Sequence, residues 1–181
     1  MCLQETWLDP LAPECNHLLV PTGWEQHNNS VGKGKGIATF YTENYKWVED
    51  ITEPLYQFTK LGSEQLDIIN VYRSEGAETK NFLKDLFGLI CSKKQTLIVG
   101  DFNLCYLSAI SHQLFQAFHS KGYQQLVKVP TSSKGRLIDL AFISPSESDV
   151  YYEVRQQSQF FTDHDLIEVI EGKTIHSVSM M

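Results

Sequence analysis

The 181-residue sequence is poor in several things, and each scarcity excludes something. It has four cysteines, Cys2, Cys15, Cys91 and Cys105, none in a CxxC pair. That argues for reduced thiols rather than a disulfide framework or a zinc module. No apolar run approaches the ~20 residues that span a bilayer, so no membrane association is expected. The start, "MCLQETWLDP", lacks a basic segment followed by an apolar one, so it does not read as a secretory signal. The expected location is therefore intracellular, either nuclear or cytoplasmic. Positive charge is scarce too: 15 Lys and Arg stand against 22 Asp and Glu, giving a net charge of −7. A nonspecific polyanion binder would carry a clustered basic surface instead. An acidic chain can still take a nucleic acid where a divalent cation offsets its carboxylates.

What is present is a globular composition, 42% hydrophobic and 20% charged, without repeats or a linker. Residues 1–181 are accordingly expected to form one domain. "CLQETW", "IATFY", "YQFTK", "LDIINVYRS", "TLIVGDFN", "RLIDLAFIS", "YYEVRQ" and "LIEVIEG" read as strands. "SVGKGKG" reads as a glycine-rich turn whose N–H groups could approach a phosphate, although a plain hairpin turn is the commoner use of such a run. Phe82, Leu83, Leu86, Phe87 and Ile90 have the spacing of one apolar helix face. Ile110, Leu114, Phe115 and Phe118 have it again. Strands outnumber helices, and each helix has one apolar side. The pattern predicts an α/β sandwich, with sheets face to face and helices outside.

Four of these segments end, or are interrupted, on polar residues. Glu5 closes "CLQE", Asp101 and Asn103 close "LIVGDFN", Asp139 interrupts "RLIDLAFIS", and Asp163-His164-Asp165 precede "LIEVI". Active sites gather at strand ends, where a rigid scaffold meets open loops. Any one such pair could simply cap a turn. Asp139 resists that explanation, because a carboxylate within an apolar strand costs several kcal/mol unless it is paired or metal-bound. His164 is a natural partner for it. Asp101 and Asn103, two residues apart in an extended segment, would project together.

The segments "LQETW", "INVYRS", "LIVGDFN", "RLIDLAFIS" and "TDHDLI", in this order, resemble the endonuclease/exonuclease/phosphatase superfamily. Within it they are most similar to the endonuclease domains of non-LTR retrotransposons and their apurinic-endonuclease relatives. The resemblance runs from Met1 to about Ile170 and implies a four-layer α/β/β/α sandwich. The chain starts at what resembles the second strand, so the expected sandwich lacks the first strand and the asparagine it carries. By matching position, Glu5 and Asp163 resemble ligands of Mg²⁺ (or Mn²⁺), a hard cation suited to carboxylates. Asp101 resembles the residue that aligns or deprotonates the attacking water, and Asn103 the amide that holds the scissile phosphate. Asp139 resembles the group that orients His164, which contacts the phosphate. Tyr72 matches a phosphate-side tyrosine, and Arg136 could add a further phosphate contact or be a solvated surface arginine. "RSEG" after Tyr72 replaces the Pro-Asn of many DNA-cutting members.

The activity implied is Mg²⁺-dependent hydrolysis of the DNA backbone, a nick leaving a 3′-hydroxyl. The implied partners are DNA and a reverse transcriptase or other domain of a parent polyprotein. The parts suit phosphodiester hydrolysis, which needs an in-line water, an aligning base and cations for the developing charge. The alternatives are a catalytically impaired remnant kept as a binding module, and a phosphatase acting on a small phosphoester.

Overall fold

The computed structural model describes residues 1–6, 20–32, 35–90, 93–146, 150–160 and 162–173. Eleven strands are found among them: β1 (Cys2–Gln4), β2 (Glu25–Gly32), β3 (Lys35–Tyr41), β4 (Lys46–Glu53), β5 (Tyr56–Gly62), β6 (Leu66–Arg73), β7 (Gln95–Asp101), β8 (Gln124–Gln125), β9 (Asp139–Ile143), β10 (Val150–Gln157) and β11 (Leu166–Lys173). Two helices join them, α1 (Thr79–Gly88) and α2 (Gln113–Ser120). Six strands form one sheet in the order β4-β5-β6-β7-β9-β8, three form a second, β1-β3-β2, and β10-β11 form a two-stranded sheet.

Strand alternation decides which face of the large sheet does what. Ile69 and Val71 of β6, Ile98 of β7 and Phe142 of β9 point to the helix side. There they join Phe82, Leu86, Leu114, Phe115 and Phe118 in one apolar core. Each helix buries its single apolar face against that core, as its spacing predicts. Glu78 caps α1, its carboxylate accepting from the Lys80 and Asn81 N–H groups at 3.0 and 2.9 Å. The opposite face is mixed: Leu61, Ile68, Leu97 and Ile143 form an apolar row toward one end, and polar residues stand at the other. Register aligns Thr52, Gln57, Tyr72, Asp101 and Asp139 in a row across it. The three-stranded sheet meets this face through polar contacts: Asn29 Nδ2 donates to Phe58 O at 3.1 Å, and Thr52 Oγ1 donates to Asn29 Oδ1 at 2.6 Å.

The architecture is the expected α/β sandwich, with differences in detail. Strands β2 and β4 were not legible, because neither "EQHNNSVG" nor "KWVEDITE" alternates in hydrophobicity. The expected turn "SVGKGKG" is partly strand, since β2 runs to Gly32 and β3 starts at Lys35; Lys33 and Gly34 lie outside the described residues. Ile110 precedes α2 and is exposed, and Ile90 falls beyond the end of α1. Cys2 and Cys105 are free thiols, whereas Cys15 and Cys91 lie outside the described residues. No described helix is long and apolar enough to cross a membrane.

Candidate active site

β7 runs parallel to β6 and antiparallel to β9, so its last residue, Asp101, stands between Tyr72 and Asp139. The preceding Gly100 makes this possible. Its φ is +145°, and a Cβ there would stand 1.9 Å from Val71 O. No L side chain fits so close an approach. After Asp101 the chain turns sharply, and Asn103 takes a left-handed φ of +48° that asparagine tolerates better than most residues. The expectation of an extended segment through Asn103 is thereby corrected. The two side chains still meet, but through the turn: Asn103 N donates to Asp101 Oδ1 at 2.8 Å, and Asn103 Nδ2 to Asp101 Oδ2 at 2.9 Å. From behind, buried Arg73 holds the turn through Nη1 to Phe102 O at 3.3 Å.

Asp139 opens β9 and does not sit inside it, because Thr131 intervenes. Its buried hydroxyl oxygen accepts from the Ile138 and Asp139 N–H groups at 3.3 and 3.1 Å, drawing the segment before β9 out of the ladder. The same Thr131 accepts from Asp165 N through its carbonyl at 2.8 Å, and Ser133 N donates to Asp163 O at 2.9 Å. The 131–136 turn and the 162–165 loop are thus tied backbone to backbone. His164 Nδ1 faces both Asp139 oxygens at 3.0 Å, so its Nδ1–H is the donor and Nε2 is left toward the cavity.

Ligand atoms of Asp101, Asp139 and His164 lie within 4.8 Å of one another. Burial, the negative charge of Asp139 and, more weakly, that of Glu5 push the Asp101 carboxyl up to about 7, against the opposing pull of the Asn103 N–H and of His164. The hydrogen bond to Asp139 pushes His164 up to about 9 in spite of its partial burial. At neutral pH this imidazole is a cation.

Glu5 follows β1 in a left-handed conformation, φ +49°, which costs about 1–3 kcal/mol for a residue of this kind. Its Oε1 accepts from the Tyr72 hydroxyl at 3.0 Å. Burial first, and then the hydrogen bond to Glu5 and the Glu5 and Asp101 charges, raise the Tyr72 phenol above its usual range against the opposing hydrogen bond of Ser74, so it stays a donor. Glu5, Asn103, Arg136, Asp163 and His164 line one open, polar cavity of about 240 Å³. Glu5 and Asp163 thus share a cavity, while the compact triplet beside it is Asp101, Asp139 and His164. Arg136 reaches Glu75 Oε1 at 3.4 Å and Asn103 O at 3.4 Å. Glu75, Ser132 and Lys134 also line the cavity and were not singled out from sequence. They sit in loops with no periodicity, and only folding brings them there. The donor set suits a hard divalent cation, because it is rich in carboxylate oxygen.

The sequence profile of the endonuclease–reverse transcriptase family matches residues 66–168. No curated protein matches the chain. Among solved structures, the endonuclease domain of TRAS1, a telomere-specific non-LTR retrotransposon, superposes with a TM-score of 0.63 at 15% identity, over 84% of this chain and 80% of that one. The human Nocturnin catalytic domain with bound sulfate gives 0.61 at 15% identity, over 94% and 78%. The cytolethal distending toxin of Haemophilus ducreyi gives 0.57 at 13% identity, over 95% and 84%. At such identities the likeness is one of fold.

Proposed function

Because this chain belongs to the endonuclease–reverse transcriptase family, we propose that it is a divalent-metal-dependent phosphodiesterase that nicks the DNA backbone and leaves a 3′-hydroxyl. The observation that carries this reading is the Asp101–Asp139–His164 triplet beside Asn103, at the edge of an open polar cavity. The resemblance to the TRAS1 endonuclease domain supports DNA as the substrate.

Glu5 and Asp163 are the proposed ligands of a Mg²⁺ or Mn²⁺ ion, which when bound supplies positive charge to the reacting phosphate. The chain's own groups do the rest. Asp101, poised near neutrality, orients the attacking water and takes its proton. The Asn103 side chain and backbone fix the Asp101 carboxylate in one orientation and, through the turn, present an amide to the phosphate. Protonated His164, held through Nδ1 by Asp139, offers Nε2–H to a non-bridging oxygen where charge develops. Tyr72 and Arg136 extend the donor set on the flanks of the cavity.

The test is nicking of supercoiled plasmid in Mg²⁺ or Mn²⁺ against EDTA, with extension of the nick by a DNA polymerase to detect the 3′-hydroxyl. A small phosphomonoester is assayed in parallel. Metal-dependent, extendable nicks are expected. Turnover of the monoester alone would move the assignment to a phosphatase, and no turnover of either would leave a binding remnant.

A further inference from the structure

Gln4 and Glu5 are consecutive, yet both bond to one face of β6. Gln4 Nε2 donates to Asn70 Oδ1 at 2.7 Å, and Glu5 Oε1 accepts from the Tyr72 hydroxyl at 3.0 Å. Asn70 and Tyr72, two residues apart on a strand, share a face. Consecutive residues of a continuing strand would point to opposite faces. Burial on β1 shows that alternation, with Leu3 exposed and Cys2 and Gln4 partly buried. The left-handed φ of Glu5 is therefore what turns its carboxylate back toward Tyr72, at the end of the strand. Such a conformation persists only where its surroundings over-determine it. Strand β1 brings three ladder residues and a single partner strand, β3, to that task.

The additional constraint is Asn70. It is fully buried, and it uses both ends of its amide. Oδ1 accepts from Gln4, while Nδ2 donates to Thr39 Oγ1 at 2.9 Å and to Ala38 O at 3.3 Å. Ala38 and Thr39 are the register partners of Leu3 and Cys2. One side chain of the large sheet thus pins β1 directly and pins β3, the strand that β1 lies on. Neither Gln4 nor Asn70 lines the cavity. We propose that Gln4 and Asn70 are positioning residues that set the direction of the Glu5 carboxylate and thereby the metal affinity of the site. This rests on the reading of Glu5 as a metal ligand.

The deciding variant is Gln4→Met, which keeps length and apolar reach but removes the amide. Asn70→Leu, a buried change, accompanies it, and Glu5→Gln is the reference. Mg²⁺ is titrated while melting curves are recorded, and Mn²⁺ binding is followed by electron paramagnetic resonance. Gln4→Met should raise the metal concentration for half-maximal response about 10-fold, the lower end of what support of a metal ligand contributes. The plateau should be retained, and metal-free melting should fall by a few degrees, because the buried Asn70 Oδ1 loses its donor. A midpoint within twofold of the parent in Gln4→Met, with a clear shift in Glu5→Gln, overturns the positioning role and leaves the site reading standing. If Glu5→Gln itself responds like the parent, Glu5 is no ligand and both fall. Should Asn70→Leu fail to fold, Gln4→Met alone decides.

Discussion

Asp139→Asn isolates the charge at the heart of the cluster. The asparagine oxygen can still accept the His164 Nδ1–H, so the ring keeps its place while losing its anionic partner. Asp139 is the leading reason that His164 is raised to about 9, so the variant should bring His164 down toward its ordinary 6.5. Asp139 is also the second cause, after burial, of the raised Asp101, whose titration should move down by less.

The effect on stability has a definite sign. The fold favours the protonated imidazole, so the native state holds its proton to about pH 9, whereas the unfolded chain releases it near 6.5. The stabilisation is complete below pH 6.5 and is lost as pH rises through 9. At ~1.4 kcal/mol per pH unit, the full shift would amount to about 3 kcal/mol. The ring is 30% exposed, and solvent screening reduces this to roughly 1–2 kcal/mol. Asp101, also raised, adds a separate decline between about pH 4 and 7, because there too the native state binds more protons. The assay is urea unfolding of the metal-free protein from pH 5.5 to 10, with nuclear magnetic resonance titration of the imidazole. In Asp139→Asn the decline between pH 6.5 and 9 should vanish. A parent His164 titrating near 6.5, or the same value in both proteins, would refute the electrostatic account of the site.

Asp101→Ala and His164→Ala should each lower nicking by ~10²-fold or more, the scale of losing a proton-transfer or charge-stabilising group, with folding retained by circular dichroism. Gly100→Ala should cost roughly 2–5 kcal/mol in denaturant unfolding, because the new Cβ meets Val71 O at 1.9 Å; a loss below 1 kcal/mol would mean that the β6–β7 pairing is misjudged. Arg136→Ala should raise KM about 3–10-fold, with kcat within about twofold, if the guanidinium serves binding alone; an equal fall in kcat would place it in the transition state.

The helices and the buried strands were legible because each carries its burial in its spacing: Phe82 and Leu86 for α1, Leu97 and Ile98 for β7. β2 and β4 were not. Their inward residues are His27, Asn29, Asp50 and Thr52, which pair with one another or with the backbone across the sheets, as His27 does with Asp50 and Thr52 with Asn29. A polar interface gives no hydrophobic period. The site was legible through residues that break local rules, above all Asp139 at an apolar strand and the Asp-Asn pair after a buried run. What it could not show was the left-handed turn at Glu5, or Thr131 reaching Ile138 and Asp139. The first depends on Tyr72, 67 residues away, and the second on a seven-residue loop without periodicity that closes on itself; Glu75 and Lys134 likewise reach the cavity from loops that only folding brings together.

Charge sets a last constraint on how DNA could be held. With a net charge of −7, the chain repels a polyanion at long range. Among the described residues, Lys134, Arg136 and protonated His164 are the cations at the cavity. Arg136 is already partly neutralised by Glu75 at 3.4 Å, so an incoming phosphate exchanges with that carboxylate and frees fewer ions from the DNA. Two or three neutralised phosphates correspond to a slope of about −2 to −3 in log K against log salt, at roughly −0.9 per contact on duplex DNA. Binding of a labelled duplex to Asp101→Ala, whose turnover is expected to be slow, would be measured by anisotropy at fixed Mg²⁺ across a range of KCl. Removing Mg²⁺ should weaken binding, because the carboxylates of the site then face the phosphate uncompensated. A slope steeper than about −5, or binding that strengthens in EDTA, would show that DNA is held by a basic surface elsewhere and not through this cavity.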